Sequence, residues 1–339
     1  MSDVFYASLV TSGFENNVIF DLTHPWNRDN CFRPFYLMRE KFKHYGFEIN
    51  TLDLNYKKLI AFDLHMDVQT CSTSELRYLL MLETPMVCPT NDNPSNWSQY
   101  RKIFTWNDEL ADGDRFIKIN FPNPIHIHPV DGFVSRPCFC ALIAGNKALA
   151  VDDERNLYPE RVKAIRWFEN QAAQDFDLYG VGWDMPEVRG GVFGKLQSRF
   201  WKVVGRFVKL RPFTSYRGKI ENKSDVLTQA RFAICYENVR DLPGYITEKI
   251  FDCFFSGCVP VYWGACNVTD YIPADCFIDR RDFNDTAAVY TFLKTITDQE
   301  FRGYQQRIAA FLESDTAYLF SSECFAETIV DTIVQDLGA

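Results

Sequence analysis

The chain has 339 residues, of which 47% are hydrophobic, 24% are charged and 16% are aromatic. This length allows two domains with cores of their own, and the aromatic content argues against a disordered chain. The net charge of −9 argues against a general nucleic-acid-binding protein. No signal peptide or membrane span is recognisable, so the sequence predicts a protein kept in the cytoplasm. The eleven cysteines include no Cys-x-x-Cys pair, which favours reduced thiols over a zinc site.

The first part of the chain alternates between predicted strands and a predicted helix. In order, these are strands at 4–10 and 17–22, a helix over 31–45, strands at 47–52 and 59–64, an apolar run over 76–82, and strands at 102–106 and 116–121. A strand–helix–strand beginning is typical of a βαβ unit in a parallel sheet. We therefore predict one α/β domain over residues 1–135.

The second part repeats this alternation. It has a predicted strand at 138–145, a helix that begins near Tyr158, a strand at 176–179, a strand at 231–236, a helix that ends at Gly257, and a strand at 259–263. These elements predict a second α/β domain over residues 136–315. The remaining residues, 316–339, predict a helix that packs back on the first domain.

Polar residues gather where the strand at 231–236 ends and the next helix begins. They are Glu237, Asn238, Tyr245, Thr247, Glu248 and Lys249, and Thr247 is placed to cap the helix. Ligands of open α/β sheets bind beyond the carboxyl ends of the strands, and the beginning of a helix there favours phosphate. A lysine suits a phosphate, and a carboxylate suits two ribose hydroxyls. The pattern indicates a nucleotide site; the alternative is a capped helix with solvated charges.

The same stretch resembles a known family. Tyr-Glu-Asn, Gly-Tyr-Ile-Thr-Glu-Lys, Val-Pro-Val-Tyr-Trp-Gly and Tyr-Ile-Pro follow one another with the spacing of the α-1,3/4-fucosyltransferases, glycosyltransferase family 10. The resemblance is strong over 214–283, weaker over 81–110 and 138–184, and faint elsewhere. It implies the GT-B fold, in which two Rossmann-like doubly wound α/β domains face each other across a cleft.

The resemblance also implies an activity. A family member transfers L-fucose from GDP-fucose to a hydroxyl of an acceptor glycan, with inversion and without a metal or other cofactor. The expected product carries an α-1,3 linkage to N-acetylglucosamine or glucose. Two alternatives stay open: a transferase that uses another GDP-sugar, and an inactive nucleotide- or glycan-binding protein.

Glu83 is the expected catalytic base. The run Leu-Glu-Thr-Pro over 82–85 resembles the family's Glu-Ser-Pro, with threonine in place of serine. Because Glu83 follows an apolar run, we expect it at the carboxyl edge of the sheet, partly desolvated and with a raised pKa. The alternative is a surface glutamate that opens a loop. Trp97 and Trp106 are equally consistent with sugar stacking and with the core.

The expected donor site lies mainly in the second half. Lys249 and Arg161 are assigned to the diphosphate, with Arg166 as a rival to Arg161. Gly145 and Asn146 are expected to allow close backbone approach to the donor. By resemblance, the remaining donor-site residues are Tyr216, Lys223, Glu237, Asn238 and Glu248, with Tyr245 at the nucleoside.

A metal-dependent mechanism has weaker support in the sequence. Two Asp-x-Asp triplets occur, at 112–114 and 175–177, but neither is followed by the pattern of a metal-dependent transferase. His126 and His128 lack a third ligand nearby and are interpreted as ordinary loop or strand histidines. We therefore expect no bound metal.

Residues 193–210 predict a basic amphipathic helix. Apolar residues fall on one face and lysines and arginines on another. Such a helix either rests on an anionic membrane surface or packs on its own domain with a solvated basic face. A lipid-linked acceptor, such as a lipopolysaccharide precursor, favours the first alternative and a location peripheral to the inner membrane.

Overall fold

The computed structural model describes residues 4–149, 153–188, 190–204 and 211–338. It divides into two compact units. The first consists of Met1–Ile125, Pro243–Tyr245 and Tyr318–Ala339, and the second of His126–Leu242 and Ile246–Ala317. The first boundary along the chain lies between Ile125 and His126, where the sequence predicted it after residue 135. The short segment Pro243–Tyr245, within the stretch that carries the family resemblance, belongs to the first unit.

The described part of the chain contains twelve strands and ten α-helices. The strands are β1 (Phe5–Val10), β2 (Phe47–Thr51), β3 (Ile60–Met66), β4 (Arg77–Met81), β5 (Lys102–Thr105), β6 (Phe116–Lys118), β7 (Cys138–Ile143), β8 (Phe176–Tyr179), β9 (Tyr216–Gly218), β10 (Ala230–Tyr236), β11 (Val259–Trp263) and β12 (Ile278–Asp279). The helices are α1 (Arg33–His44), α2 (Pro94–Trp97), α3 (Tyr158–Gln171), α4 (Gly191–Val204), α5 (Ser224–Leu227), α6 (Glu248–Phe255), α7 (Thr286–Thr295), α8 (Asp298–Leu312), α9 (Asp315–Tyr318) and α10 (Ser322–Leu337).

One predicted strand is wrong. Residues 17–22 do not pair in a sheet; a 3₁₀ turn forms over Val18–Phe20 instead. Asn16 and Asn17 precede it with φ angles of 58° and 59°. This left-handed conformation, which asparagine tolerates better than most residues, interrupts an extended chain. The apolar residues Ile19 and Phe20 are nevertheless buried, so they contribute to the core without being in a strand.

The first unit is built on a six-stranded sheet in the order β2-β1-β3-β4-β5-β6. Every recorded pairing is parallel. Helices α1 and α10 pack together beside it, and Phe42, Phe62 and Ile329 are fully buried in the same core. The strand order reverses between β1 and β3, which places a topological switch point there.

The second unit has a six-stranded parallel sheet in the order β12-β11-β10-β7-β8-β9. Numbered from the first strand of this unit, the order is 3-2-1-4-5-6, which is the Rossmann order. Strand β10 is almost wholly buried, as expected for a parallel strand covered on both faces. The predicted α/β class with two Rossmann-like units is confirmed. In this second sheet the switch point lies between β7 and β10.

Candidate functional site

The switch point of the second sheet brings two predicted segments together. Strand β7 leads into Gly145 and Asn146, and β10 leads directly into Glu237 and Asn238. Strands β7 and β10 are neighbours in parallel register, so their carboxyl ends meet at one edge. Open α/β sheets bind ligands at this position. The topology therefore gathers residues that are about ninety positions apart in the sequence.

Glu237 is the centre of the site. Its side chain is fully buried. One carboxylate oxygen accepts a hydrogen bond from the Thr247 backbone N–H at 2.9 Å, and the other accepts one from the Thr247 hydroxyl at 2.8 Å. The Lys249 ammonium lies 3.1 Å from the same carboxylate. A buried carboxylate needs partners of this kind, because an isolated charge in the interior is costly.

Thr247 has a different role from the predicted one. It occupies the N-cap position of α6, but its side chain makes no capping hydrogen bond. Its hydroxyl donates to Glu237 and accepts from the Lys249 ammonium at 2.9 Å. The expected cap is therefore wrong: the hydroxyl oxygen, which a cap would offer to a backbone N–H of α6, accepts from Lys249, and the hydroxyl proton goes to Glu237. Thr247 instead links the two charged groups.

Two lysines flank Glu248 at the start of α6. Its carboxylate lies 3.7 Å from the ammonium groups of both Lys249 and Lys223. Burial raises the pKa of Glu248, but the two lysines outweigh it and bring that pKa to about 2. Lys223 also contacts Asp252, at 2.6 Å. The structure thus brings four of the predicted residues, Glu237, Glu248, Lys249 and Lys223, into one network of charges.

Arg161 lies at the same strand end. Its guanidinium donates to the Tyr236 carbonyl at 2.6 Å and to the Asn238 side-chain oxygen at 3.1 Å. The residue is only 5% exposed. Its rival, Arg166, instead contacts Glu169 and the Pro212 carbonyl, further along α3. Of the two arginines, the structure places Arg161 beside Asn238 and the carboxyl end of β10.

Asn146 organises the loop that follows β8. Its side-chain amide donates to the carbonyls of Gly182, Met185 and Pro186 at 2.9–3.2 Å, and its oxygen accepts from the Val188 N–H at 3.0 Å. At the start of the same loop, the Tyr216 hydroxyl donates to the Gly180 carbonyl at 2.9 Å. Asn146 and Tyr216 therefore shape the backbone around residues 180–188.

Gly180 lies in close contact with the backbone of another segment of the chain, whereas Gly145 has only a side chain near it. A Cβ atom on Gly145 would meet only the flexible side chain of Lys147, at 3.4 Å or more. A Cβ on Gly180 would lie 1.9 Å from the Ala144 carbonyl oxygen, and Gly180 has a φ of 126°. Only glycine fits that position. Gly180 therefore constrains this turn, and the expected close approach of Gly145 to the donor stays a prediction.

Tyr245 is not part of this cluster. It belongs to the first unit, is 2% exposed, and packs between the rings of Trp106 and Phe121 with centroid distances of 4.9 and 5.7 Å. Its neighbour Gly244 has a φ of 81°, and a Cβ there would lie 2.3 Å from the Trp106 carbonyl oxygen. The expectation that Tyr245 covers a nucleoside therefore has no support in its surroundings.

Glu83 lies in the first unit, two residues after the end of β4, as expected for the carboxyl edge of that sheet. It is exposed, whereas the sequence predicted partial desolvation. Its backbone is held firmly: the N–H donates to Asp67 at 3.0 Å and the carbonyl accepts from Asn91 at 3.0 Å. Trp106 and Trp97 direct their indole N–H groups to backbone carbonyls, which indicates structural roles.

The acidic triplets are engaged in local structure. One oxygen of Asp112 accepts from the N–H groups of Asp114 and Phe116 at 2.8 Å. Asp175 accepts from the Tyr290 hydroxyl at 2.6 Å, and Asp177 pairs with Arg217 at 2.5 Å. In residues 4–149, 153–188, 190–204 and 211–338, no group of three or more His, Cys, Asp or Glu side chains is arranged to hold a metal ion.

The predicted amphipathic helix is observed in part. Helix α4 covers Gly191–Val204, and residues 205–210 lie outside the described part of the chain. Leu196, Phe200 and Val203 follow one another at helical spacing and are 56%, 60% and 53% exposed. Arg199 is exposed on the same helix. No helix in the described part of the chain is both long and apolar enough to cross a membrane.

Comparisons with known proteins agree with the family resemblance. Residues 183–309 match the family model for the C-terminal part of glycosyltransferase family 10 (fucosyltransferase). The chain is 35% identical over 75 residues to an alpha-(1,3)-fucosyltransferase of Helicobacter pylori, a match that covers 22% of this chain and 16% of that protein. It is 33% identical over 72 residues to an alpha-(1,4)-fucosyltransferase of Arabidopsis thaliana, covering 21% of this chain and 18% of that protein. The matched segments thus span less than a fifth of these relatives.

The fold likeness extends further than the sequence likeness. A crystal structure of an alpha1,3-fucosyltransferase with GDP-fucose superposes with a TM-score of 0.53 at 13% identity, over 98% of this chain and 90% of that chain. The predicted GT-B fold class is confirmed.

Three residues described above were missed by sequence reasoning: Asp67, Asn91 and Gly180. Their roles depend on partners distant in sequence, and the local signal in the sequence was the Gly-x-Gly at 180–182, which follows the predicted strand at 176–179.

Proposed function

We propose that this chain, whose residues 183–309 match the family model for the C-terminal part of glycosyltransferase family 10, transfers L-fucose from GDP-fucose to a hydroxyl of an acceptor glycan. The proposed linkage is α-1,3 to N-acetylglucosamine or glucose, formed with inversion and without a metal ion. The observation that most supports a GDP-sugar transferase is the buried Glu237–Thr247–Lys249 network at the switch point of a Rossmann sheet.

The network suits a nucleoside diphosphate. Lys249 and Lys223 supply positive charge at the beginning of α6, where the helix dipole adds to the attraction for an anion. The carboxylate of Glu248, with its pKa of about 2, remains charged at neutral pH and is able to accept hydrogen bonds from sugar hydroxyls. The buried carboxylate of Glu237 contacts the Lys249 ammonium and so orients it.

Proton removal is assigned to Glu83. The acceptor oxygen attacks the anomeric carbon of fucose, and the bond from that carbon to the diphosphate oxygen breaks. Its electron pair leaves with GDP, and the acceptor proton passes to the Glu83 carboxylate. Lysine and arginine side chains near the departing diphosphate stabilise the charge that develops there.

Calorimetric titration of GDP, GDP-fucose and GDP-mannose with EDTA present tests the donor site. We expect GDP to bind and GDP-fucose to be preferred over GDP-mannose. The Lys249→Ala variant removes one charged partner, so we expect affinity to fall about tenfold or more. Lys163→Ala is the matched control, because Lys163 is an exposed lysine paired on the surface of α3. Binding that is abolished by EDTA and restored by manganese would overturn the metal-free proposal, and a preference for GDP-mannose would favour another GDP-sugar.

The Glu83→Gln variant separates a transferase from an inactive binding protein. We expect it to lose turnover while retaining affinity for GDP, since the substitution leaves the second unit unchanged. Glu109→Gln, at another exposed glutamate of the first unit, is the control. Unchanged turnover in Glu83→Gln removes Glu83 from the mechanism. Absence of turnover in the wild-type chain with every donor tested would favour the inactive alternative.

The exposed apolar face of α4 supports a peripheral contact with an anionic membrane surface. Exposed apolar side chains spaced along one helix face, together with a nearby exposed arginine, suit an interfacial helix. We expect the chain to sediment with phosphatidylglycerol vesicles more than with phosphatidylcholine vesicles, and Phe200→Ser to weaken this. Leu59→Ser, at a residue that is 93% exposed in the first unit, is the control. Equal sedimentation of Phe200→Ser and the wild type would overturn the contact through α4.

A further inference from the structure

Asp67 connects three separate parts of the first unit. It follows β3 directly and has a left-handed φ of 55°. One of its carboxylate oxygens accepts three hydrogen bonds: from the Leu82 N–H at 2.9 Å, from the Glu83 N–H at 3.0 Å and from the Asn91 side-chain amide at 2.8 Å. Hydrogen bonds to a charged oxygen are roughly twice as strong as neutral ones.

Asn91 bonds the backbone of Glu83 as well as the side chain of Asp67. Its side-chain amide also donates to the Glu83 carbonyl at 3.0 Å, and its side-chain oxygen accepts from the Val68 N–H at 3.0 Å. The residue is 1% exposed. Its own carbonyl accepts from the Trp97 indole at 2.8 Å, so the backbone at Asn91 is also held. Asn91 therefore bonds both Asp67 and Glu83 from a buried position.

Both backbone polar groups of Glu83 are thus held by side chains from other segments. The preceding carbonyl, that of Leu82, accepts from the Trp106 indole at 2.9 Å. The backbone is fixed on each side of Glu83, while Glu83 itself lies at the exposed carboxyl edge of the sheet. A loop residue just past a strand ordinarily has a mobile backbone. Here the direction in which the side chain leaves the backbone is set by Asp67 and Asn91.

We propose that Asp67 and Asn91 are positioning residues that fix Glu83 for proton removal; this rests on the proposed function of Glu83. Asp67 lies at the end of β3, one of the two strands that border the switch point of the first sheet, and Asn91 is hydrogen-bonded to it from a later turn. It acts through the Glu83 backbone. A displacement of about 1 Å in a reacting group costs about 100-fold in rate, so loss of the pair lowers turnover without removing the carboxylate.

The test is a set of kinetic variants with GDP-fucose and a fucosyltransferase acceptor such as N-acetyllactosamine. We expect Asp67→Ala and Asn91→Ala to lower kcat about 10- to 100-fold, with GDP affinity unchanged within about twofold. Asp67→Asn retains an acceptor oxygen and tolerates the left-handed backbone, so it is expected to recover most of the loss. Asn96→Ala is the matched control, because Asn96 also donates to a backbone carbonyl of this loop, that of Thr90.

A double-mutant cycle distinguishes positioning from general destabilisation. If Asn91 acts only through Glu83, Asn91→Ala lowers kcat in the wild type but not further in a Glu83→Gln background. An equal loss in both backgrounds would overturn the proposal. Asn91→Ser keeps a polar group in the buried position but has a single donor, so it cannot bond both Asp67 and Glu83, and it replaces Asn91→Ala if that variant does not fold. If Glu83→Gln retains full activity, the assignment of the base fails; if Glu83→Gln is inactive and the variants of the pair are unaffected, only the positioning fails.

Discussion

Gly264 leaves the space that Glu237 occupies. A Cβ atom built on Gly264 would lie 2.5 Å from the Cγ of Glu237 and 2.3 Å from the Tyr262 hydroxyl. In addition, the Glu237 N–H donates to the carbonyl of Trp263, the residue before Gly264, at 2.8 Å. The two loops that follow β10 and β11 are therefore fitted to each other around a buried carboxylate.

Gly264→Ala is expected to destabilise the fold by about 1–3 kcal/mol and to weaken GDP binding, because the added methyl group displaces Glu237 from Thr247 and Lys249. Urea denaturation and calorimetry measure the two effects. Gly303→Ala is the control: it lies in α8, where a Cβ would meet only the flexible side chain of Arg307. Normal GDP affinity in Gly264→Ala would show that the position of Glu237 does not control the donor site.

Glu237→Gln keeps the size of the side chain and removes its charge. Position 237 then carries no negative charge to balance Lys249, so we expect a loss of stability of about 1–3 kcal/mol, measured as the free energy of unfolding in urea. Glu40→Gln alters an exposed i,i+3 pair with Lys43 and is expected to cost about 1 kcal/mol or less. Similar losses in both variants would contradict the structural importance of the buried pair.

Asn146→Asp is expected to be more damaging than Asn146→Ala. The aspartate would bring a negative oxygen toward the three carbonyls that now accept from the amide, at Gly182, Met185 and Pro186. Alanine only removes the hydrogen bonds, each worth about 1 kcal/mol. Thermal unfolding at pH 7 ranks the two variants, and the opposite ranking would mean that the amide donors do not hold this loop.

His65 is expected to make stability depend on pH. It is fully buried, and burial lowers its pKa from 6.5 to about 4, with Asp63 opposing the shift and Arg77 adding to it. As the pH falls, His65 is protonated near pH 6.5 in the unfolded chain but only near pH 4 in the folded chain. The stabilising effect of neutral His65 is therefore complete above pH 6.5 and is lost as the pH falls toward 4. The loss amounts to about 3 kcal/mol.

The matching measurement is the free energy of unfolding between pH 7 and pH 4. His65→Phe is expected to flatten this part of the pH dependence. Tyr100→Phe, which removes the hydroxyl 3.0 Å from the histidine ring but keeps the histidine, is expected to retain the decline. An equally steep decline in His65→Phe would place the titrating group elsewhere.

Local sequence patterns predicted the network of charges around Glu237 well. Glu237, Thr247, Glu248 and Lys249 lie within a short stretch, where a buried strand is followed by a turn and an amphipathic helix. The end of a strand and the beginning of the next helix are close in any βαβ unit, so their proximity follows from the order of elements. Arg161 lies beside this strand end as well, because the helix that carries it follows a neighbouring parallel strand, and its assignment to the diphosphate stays a prediction.

Tyr245 shows where local patterns fail. It stands two residues before Thr247, and sequence alone assigned it to the same site. The turn residue Gly244, however, fits closely against Trp106 and Lys118, so the segment Pro243–Tyr245 is packed within the first unit. Neighbours in sequence diverge here because the chain passes between units, and burial of an aromatic ring favours the side where other rings are available.

The sequence by itself determined the α/β class, the two Rossmann-like units and the residues around α6, because hydrophobic periodicity and short spacing are local properties of the chain. Tertiary structure alone decided that Thr247 bonds Glu237 instead of capping its helix, that Gly264 and Gly180 make room for distant atoms, and that Asp67 and Asn91 hold Glu83. Each of these depends on hydrogen bonds or steric fit between residues brought together only by strand order, which no local pattern encodes.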